Sequence, residues 1–365
     1  MLLDTDSKRS CSRFLYHPPR TQTEWLKCLS ESDYSDGQTD SYGVSPLFET
    51  LTNRVTELLG KPSGTYVNKG VIAQQIALRV HAERSEMKPI VLNQKSHLLV
   101  DEQDAIRRLT GLDIIALGSD HEHFTLGDLQ AIKEPISAVA LELPLRRAGF
   151  KAPDFKELAA ISQWCREKQI PLHIDGARLW EAAAGYGCTP AQMASLADSV
   201  YVSFYKGLGA LGGSLVVGDE SFIKEVEAWK PRYGADVYHM FPYAIAALEG
   251  LDQQLPRMTE YVERARALAN LLKALPGAKT TPNPPRTNAF QLFFPGHLEE
   301  TAERLAREQK ERDCWLIDVL YETAVPNLLM TEIQVGSGHI DINDADIIQL
   351  FAAILPTVRL HETVN

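Results

Sequence analysis

The chain has 365 residues, of which 44% are hydrophobic and 23% are charged, and its formal net charge is −11. This length and apolar content are enough for one large domain and one smaller one. The acidic balance argues against nucleic acid or an anionic membrane as a partner, and no apolar run is long enough to span a bilayer, so a small-molecule partner is expected.

The cysteines are scattered along the chain, and none of them forms a C-x-x-C pair. They are Cys11, Cys28, Cys165, Cys188 and Cys314. This pattern argues against a disulfide framework and against a metal site, and it favours a reducing compartment. Residues 1–9 lack the basic-then-apolar order of a signal peptide. We therefore expect a cytoplasmic protein.

The N-terminal part, residues 1–45, is predicted to be an irregular arm. Within it, residues 30–41 are rich in Ser, Asp and Gly, which is typical of a loop. A helix is predicted next, because residues 47–59 carry an apolar stripe at helical spacing and Gly60 follows as its stop.

Strand and helix signals then alternate along the chain. The predicted strands are residues 89–92, 113–117, 136–143, 171–174, 199–205 and 214–218, and the predicted helices are residues 71–86, 102–109, 155–168 and 179–184. Short apolar strands separated by helices indicate a mostly parallel sheet covered by helices, which is an α/β fold. We assign residues 46–252 to this large domain.

After Leu251 the pattern changes. Residues 261–275 predict an amphipathic helix, residues 289–294 a strand and residues 297–312 a charged helix, and a strand, turn and helix follow in residues 328–355. This mixture predicts a smaller α+β domain over residues 253–365.

Two polar residues stand at the ends of predicted buried strands. Asp175 follows the strand at residues 171–174, and Lys206 ends the run at residues 199–205. Ligands of open α/β sheets bind at the carboxyl ends of the strands, so the two side chains can meet in one crevice. Burying a charged lysine between two strands costs free energy, because its ammonium group loses water, unless the charge is paired or the amine is deprotonated.

A Schiff-base lysine and an aspartate for the pyridinium nitrogen are the minimum that pyridoxal phosphate needs from a protein. The sequence therefore predicts a pyridoxal 5′-phosphate site with Lys206 and Asp175 as catalytic residues and Arg178 against an anionic group of the complex. The alternatives are that Asp175 only caps the following helix and that Lys206 extends from a loop. Residues 207–212 also fit G-x-G-x-x-G, but a strand follows where a dinucleotide motif needs a helix.

The phosphate of such a cofactor needs backbone N–H groups at a helix start. Residues 66–71 lead into a predicted helix, where Gly70 allows close backbone approach and Lys69 adds positive charge. The alternative is an ordinary strand-to-helix turn. Ser203 is a further hydroxyl near the lysine.

His97 follows the strand at residues 89–92. A histidine at this place can stack on a cofactor ring and move protons, so we predict a catalytic role. The alternative is a purely structural histidine.

These residues also carry a resemblance. Residues 173–179 read His-Ile-Asp-Gly-Ala-Arg-Leu and residues 205–209 read Tyr-Lys-Gly-Leu-Gly. They are similar to the D-G-A-R-L and S-K-G-L-G runs of the threonine aldolase / aromatic amino-acid β-eliminating lyase family, whose members use pyridoxal phosphate and have the aspartate-aminotransferase (type I) fold. The resemblance covers residues 40–250 and is nearest the β-eliminating lyase-related branch.

The resemblance implies that Lys206 forms the Schiff base, that Asp175 pairs with the pyridine nitrogen, that Arg178 contacts the cofactor and that His97 stacks on its ring. It also implies a large domain with a mostly parallel, seven-stranded type of sheet and a smaller C-terminal domain.

The resemblance further places Gly70 and Val71 in the phosphate loop. It matches Tyr42 to a tyrosine near the family's N-terminal arm, which makes Tyr42 a candidate substrate contact. Since the family forms dimers or tetramers with sites shared between subunits, a homodimer or homotetramer is expected.

Three departures from the family pattern concern ligand binding. The family's S-G-T phosphate loop is Lys69-Gly70-Val71 here, so a side-chain hydroxyl is lost, and the histidine of its E-N-T-H-N run is replaced by Leu145. The late-strand arginine that holds the substrate carboxylate has no counterpart in residues 331–335. A carboxylate needs a cationic partner, and the candidates are Arg146, Arg147 and Arg232.

The expected function is a pyridoxal-phosphate lyase that cleaves Cα–Cβ of a β-hydroxy amino acid into glycine and an aldehyde. In this reaction His97 or water would accept the hydroxyl proton. A first alternative is β-elimination to a 2-oxo acid and ammonia, with Lys206 as the base. A second is a non-catalytic protein of this fold, which would take up no cofactor.

Overall fold

The computed structural model describes residues 1–3 and 5–355. The chain divides into two compact units, of which one comprises Arg20–Thr259 and the other combines Met1–Pro19 with the described residues from Glu260 onward. The domain boundaries predicted at residues 45 and 252 stay predictions. Within the described ranges, no helix combines the length and the apolar character that a membrane span requires.

The strands and helices are numbered in chain order. The strands are β1 Arg13–Phe14, β2 Ser63–Val67, β3 Pro89–Asn93, β4 Asp113–Leu117, β5 Ala138–Glu142, β6 Leu172–Gly176, β7 Ser199–Ser203, β8 Ser214–Gly218, β9 Lys279–Thr281, β10 Ala289–Pro295, β11 Cys314–Trp315, β12 Tyr321–Glu322 and β13 Leu328–Gln334. The helices are α1 Thr5–Arg9, α2 Gln22–Ser30, α3 Pro46–Leu59, α4 Gly70–Ser85, α5 His97–Val100, α6 Ala105–Thr110, α7 Leu126–Ala131, α8 Phe155–Glu167, α9 Leu179–Tyr186, α10 Pro190–Ala194, α11 Glu220–Trp229, α12 Phe241–Gln253, α13 Met258–Leu272, α14 Leu298–Glu311 and α15 Asp344–Ile354. Short 3₁₀ turns span Arg146–Ala148, Pro231–Tyr233, Leu255–Arg257 and Ser337–Asp341.

The larger unit is built on a seven-stranded sheet with the order β2-β8-β7-β6-β5-β3-β4. Its strands pair in parallel except β8, which runs antiparallel to both of its neighbours. Asp175 on β6 pairs with Glu142 on β5 and with Tyr201 on β7. The predicted α/β fold with a mostly parallel sheet is confirmed, and the carboxyl ends of β3, β5, β6 and β7 meet at one edge.

Helix α4 lies across this sheet and contacts strands β2, β3, β5, β6, β7 and β8. Fully buried small and β-branched residues of this helix, among them Ala73, Ile76 and Val80, allow it to pack closely. The helix begins at Gly70. Its start therefore lies at the same edge where the parallel strands end.

The smaller unit contains a four-stranded antiparallel sheet with the order β12-β13-β10-β9. Along β13 every second residue is buried, which is the pattern of a strand with one covered face. This unit has the α+β character predicted for the C-terminal part of the chain.

The prediction that residues 1–45 are irregular was wrong. Helix α2 begins with a capping box, in which Thr21 and Glu24 bind each other's backbone N–H groups. No residue of α2 is buried, so an apolar stripe could not reveal it. Strand β1 pairs with β11, about 300 residues away in the chain, and such a contact leaves no local sequence pattern.

Candidate active site

A cavity of about 340 Å³ opens at the carboxyl ends of β3, β5, β6 and β7. It is lined by Gly70, Val71, His97, Asp101, Glu102, Glu142, Pro144, Arg146, Ala177, Arg178, Tyr201, Tyr205 and Lys206. The structure thus brings together most of the cofactor residues predicted from the sequence. One of the three candidate arginines joins them.

Lys206 lies three residues after the end of β7 and is partly buried at the cavity wall. Burial lowers the pKa of its amine, Arg178 lowers it further, and nearby carboxylates oppose them, so that the pKa falls to about 8. The next residue must be glycine, because a Cβ at Gly207 would lie 2.3 Å from Oε1 of the fully buried Glu181. The backbone therefore holds the lysine close to α9.

Asp175 stands near the end of β6 and is almost completely buried. Its Oδ1 accepts a hydrogen bond of 3.2 Å from the backbone N–H of Ala177, and its Oδ2 lies 2.5 Å from Nε2 of His97. Burial raises the pKa of Asp175, but the facing imidazole outweighs burial and holds the pKa below its ordinary value. The carboxylate is therefore ionised, and its Oδ2 is bonded to His97, which lines the cavity.

His97 lies between two carboxylates, since its Nδ1 is also 2.8 Å from Oε1 of Glu102. Both ring nitrogens face acceptors, so the ring donates from both and is an imidazolium. Burial lowers the pKa of His97, but Asp175 and Glu102 raise it well above its ordinary value. His97 is thus a fixed positive charge at the centre of the site.

Glu142 at the end of β5 was not singled out from the sequence, and the structure gives it a role. Its Oε2 accepts the backbone N–H of His97 at 2.9 Å, and its Oε1 accepts that of Arg146 at 3.1 Å. It therefore ties the segment after β3 to the segment after β5. Glu142 ends its own strand as Asp175 nearly does, so the strand-end rule applied to β5 would have found it.

Among the described residues, His97, Glu142 and Asp175 offer ligand atoms within 4.8 Å of one another. That spacing could suit a metal ion. Here, however, both nitrogens of the imidazolium carry protons and have no lone pair to give a metal. The expectation that the site holds no metal stays a prediction.

A buried polar network positions α4 on the sheet. His173 on β6 lies 2.8 Å from Ser199 Oγ on β7 and 2.7 Å from Gln74 Oε1 on α4. His81, two turns further along α4, also reaches Ser199 Oγ at 2.7 Å. Burial lowers the pKa of His173 to about 4 and that of His81 to about 3, so both are neutral. The network fixes the start of α4 relative to the strand of Asp175.

The structure separates the candidate arginines. Arg146 and Arg178 line the cavity, and the Arg178 guanidinium lies 5.2 Å from the ring centroid of Phe150. Arg147 forms an ion pair with Asp101. Arg232 stacks over the Trp229 ring at 4.4 Å. Arg146 is therefore the cation best placed for a ligand in the cavity.

Three further predicted residues are placed elsewhere. Lys69 precedes α4 and is exposed. Ser203 is buried, and its hydroxyl donates to the carbonyl of Ala177 at 2.7 Å. Tyr42 is 57% exposed and its ring packs edge-on against Tyr238. None of the three is among the described residues that line the cavity.

The sequence matches the profile of the beta-eliminating lyase family over residues 34–294. Low-specificity L-threonine aldolase 1 from Arabidopsis thaliana is 26% identical over 290 residues, which covers 76% of this chain and 80% of that protein. With other curated relatives the match is shorter and spans 64%, 58% and 50% of their length.

Two solved structures are similar over nearly the whole chain. A provisionally assigned L-allo-threonine aldolase from Listeria monocytogenes EGD-E is 32% identical, with a TM-score of 0.90 over 96% of this chain and 97% of that one. A provisionally assigned aromatic amino acid beta-eliminating lyase/threonine aldolase from Exiguobacterium sp. 255-15 is also 32% identical, with a TM-score of 0.90 over 96% and 98% of the two chains.

Proposed function

Because this chain belongs to the beta-eliminating lyase family, we propose that it is a pyridoxal-phosphate-dependent lyase that cleaves the Cα–Cβ bond of a β-hydroxy amino acid. The expected substrates are L-threonine and L-allo-threonine, and the products are glycine and an aldehyde. The observation that carries the proposal is Lys206, which lines one cavity with Arg178 and with His97, whose Nε2 is bonded to the buried Asp175.

The residues of the cavity fit pyridoxal phosphate. A reactive amine, a protonated imidazole and a helix start surround a space of about 340 Å³, and the ionised carboxylate of Asp175 is bonded to that imidazole. When bound, the cofactor withdraws electrons from the substrate carbon next to its amine. Lys206 would hold its aldehyde carbon, Asp175 its ring nitrogen, and the N–H groups of Gly70 and Val71 its phosphate.

The protein's own side chains would bind the substrate and transfer its protons. Arg146 would hold the substrate carboxylate and so orient the bond that breaks. Because Asp175 and Glu102 raise the pKa of His97, its imidazole holds a proton and would act as a cation and proton donor, and not as the base. The proton of the substrate hydroxyl then passes to water, which was the other acceptor considered from the sequence.

The proposed reaction is tested by product analysis. The cofactor-loaded protein is incubated with a panel of β-hydroxy and β-substituted amino acids, and the products are identified by NMR. Glycine and an aldehyde in equal amounts are the expected result. A 2-oxo acid and ammonia would contradict aldol cleavage and show β-elimination instead.

We expect attachment of pyridoxal phosphate to depend on pH with a midpoint near 8. Only the neutral amine of Lys206 attacks the aldehyde carbon, and its pKa is about 8. Below the midpoint the initial rate should therefore fall about tenfold per pH unit, and above it the rate should level off. The measurement is the growth of visible absorbance after cofactor is added, with N-acetyl-lysine amide as the control for the cofactor's own titration. A midpoint at the ordinary lysine value would contradict the expectation.

We expect Arg146→Met to raise KM for the amino acid about ten- to hundredfold, because a charged hydrogen bond to the carboxylate is lost. Arg147→Met and Arg232→Met should change KM little, since their guanidinium groups are held by Asp101 and Trp229. Steady-state kinetics of the three variants on the same substrate decide this. A larger rise in KM for Arg147→Met or Arg232→Met than for Arg146→Met would show that the other arginine binds the substrate carboxylate.

We also propose that the chain forms a homodimer or homotetramer with shared active sites. Support comes from a group of exposed apolar side chains in the larger unit. They are Tyr42 (57% exposed), Val44 (75%), Val237 (48%) and Tyr238 (57%). Tyr42 and Tyr238 lie 5.4 Å apart between ring centroids, and Tyr42 N–H donates to the Tyr238 carbonyl at 2.9 Å. Exposed patches of this kind mark interfaces.

Sedimentation analysis should accordingly give a mass of two or four chains for the wild type and a lower mass for Val44→Glu, because a buried charge opposes association. Leu109→Glu is the control, since Leu109 is also exposed but lies on α6. A wild-type mass of one chain would contradict the assembly.

We propose a cytoplasmic location and no nucleic-acid or membrane partner. The five cysteines are free thiols, which suits a reducing compartment, and the net charge of −11 disfavours polyanions.

A further inference from the structure

The hydroxyl of Tyr201 occupies the space in front of the first residue of α4. A Cβ built on Gly70 would lie 1.9 Å from Tyr201 Oη. Tyr201 belongs to β7, is 2% exposed and contributes to the cavity wall. A buried hydroxyl is therefore fixed beside the start of the helix.

The start of α4 is suited to an anion. The helix has sixteen residues, its first turn contains no acidic side chain, and Lys69 before it makes no side-chain cap. The first N–H groups of a helix have no partner within the helix and attract negative charge. The loop before the helix reads Lys69-Gly70-Val71 and offers no side-chain hydroxyl of its own.

Ser203, the other hydroxyl considered for the phosphate, is engaged elsewhere. Its Oγ donates its single proton to the carbonyl of Ala177 at 2.7 Å. Tyr201 lies two residues earlier on β7, so both side chains leave the same face of the strand. Of these two, only Tyr201 reaches the cavity.

We propose that Tyr201 donates a hydrogen bond to the cofactor phosphate at the start of α4, together with the N–H groups of Gly70 and Val71, in place of the hydroxyl that the loop lacks. The inference rests on the proposed use of pyridoxal phosphate. Burial and a hydrogen bond with Tyr205, which also lines the cavity, raise the pKa of Tyr201 well above its ordinary value, so the hydroxyl keeps its proton. On binding of the phosphate, this proton would turn from Tyr205 to a phosphate oxygen. A hydrogen bond to a phosphate dianion is charge-assisted and stronger than one between neutral groups.

The test compares pyridoxal phosphate with pyridoxal, which lacks the phosphate but carries the same ring and aldehyde. Dissociation constants for both are measured from the visible absorbance of the bound form. Tyr201→Phe should weaken pyridoxal phosphate about ten- to hundredfold and leave pyridoxal unchanged. Tyr66→Phe is the matched control, because Tyr66 is a buried tyrosine on β2 that is not among the described residues lining the cavity.

A second substitution tests whether a hydroxyl near the phosphate is what strengthens binding. Val71→Thr places a hydroxyl in the loop, and in the Tyr201→Phe background it should restore most of the preference for the phosphorylated compound. Equal weakening of both compounds, or no weakening of either, would overturn the role of Tyr201. Failure of the wild type to bind either compound would overturn the proposed function and the inference with it.

A measurement on the wild-type protein tests the proposal even if the Tyr201→Phe variant folds poorly. Titration with inorganic phosphate should shift the ring NMR signals of Tyr201 and leave those of Tyr66 unchanged. An unshifted Tyr201 signal at saturating phosphate would overturn the proposal.

Discussion

Lys206→Ala should abolish turnover, with a loss of about a thousandfold or more, because no other described residue that lines the cavity can form the Schiff base with the cofactor. The amine is the single lysine amine among the described residues that line the cavity. Its pKa of about 8 keeps a fraction of it neutral and nucleophilic at neutral pH. Steady-state product formation and the visible absorbance of added cofactor should disappear together.

The matched control is Lys61→Ala. Burial also lowers the pKa of Lys61, but its amine donates to the carbonyl of Ala197 and is not among the described groups that line the cavity. This variant should lose stability and keep its activity. Borohydride reduction of the loaded wild type, followed by peptide mass analysis, should place the cofactor on Lys206. Turnover by Lys206→Ala, or label on another lysine, would contradict the proposed site.

Asp175→Asn should lower kcat about 10²- to 10³-fold with a smaller change in KM, since a preorganised charge is removed from the place where it stabilises the reacting state. Asparagine keeps the shape of aspartate but cannot hold a proton on a ring nitrogen by charge. Removing the carboxylate also takes one of the two acceptors from His97. The pKa of His97 should therefore fall, and NMR titration of its imidazole would show this.

Asp198→Asn is the comparison for that variant. Asp198 lies at the opposite end of β6, where its Oδ2 accepts the backbone N–H of Leu172 at 2.8 Å. Its loss should lower stability slightly and leave kcat and the His97 titration unchanged. An Asp175→Asn enzyme with wild-type kcat would show that the carboxylate has no part in the chemistry.

The central features of the site could be predicted from sequence because they follow local rules. Lys206, Asp175 and Gly70 each stand where a strand ends or a helix begins, and such positions are visible in a single pass along the chain. The same rule, applied to β5, would have found Glu142. The fold class followed from the same alternation of short apolar strands with helices.

The rest depends on contacts between distant residues. The hydrogen bond between His97 Nε2 and Asp175 Oδ2 connects residues that are 78 positions apart in the chain, and no pattern in either segment predicts this contact. Tyr201 sits within a uniformly buried strand, so periodicity could not tell which of its side chains reach the cavity. The choice among Arg146, Arg147 and Arg232 likewise needed the ion pair of Arg147 and the stacking of Arg232.

Gly70 and Gly207 have a consequence for how this protein can vary. Each lies against a buried polar side chain, with Tyr201 Oη and Glu181 Oε1 only 1.9 Å and 2.3 Å from where a Cβ would stand. In a saturation library selected for function, both positions should be as invariant as Lys206, although neither glycine carries a reactive group. The selection would reject any side chain at these positions because there is no space for a Cβ. Directed evolution toward new substrates would therefore have to leave both glycines unchanged.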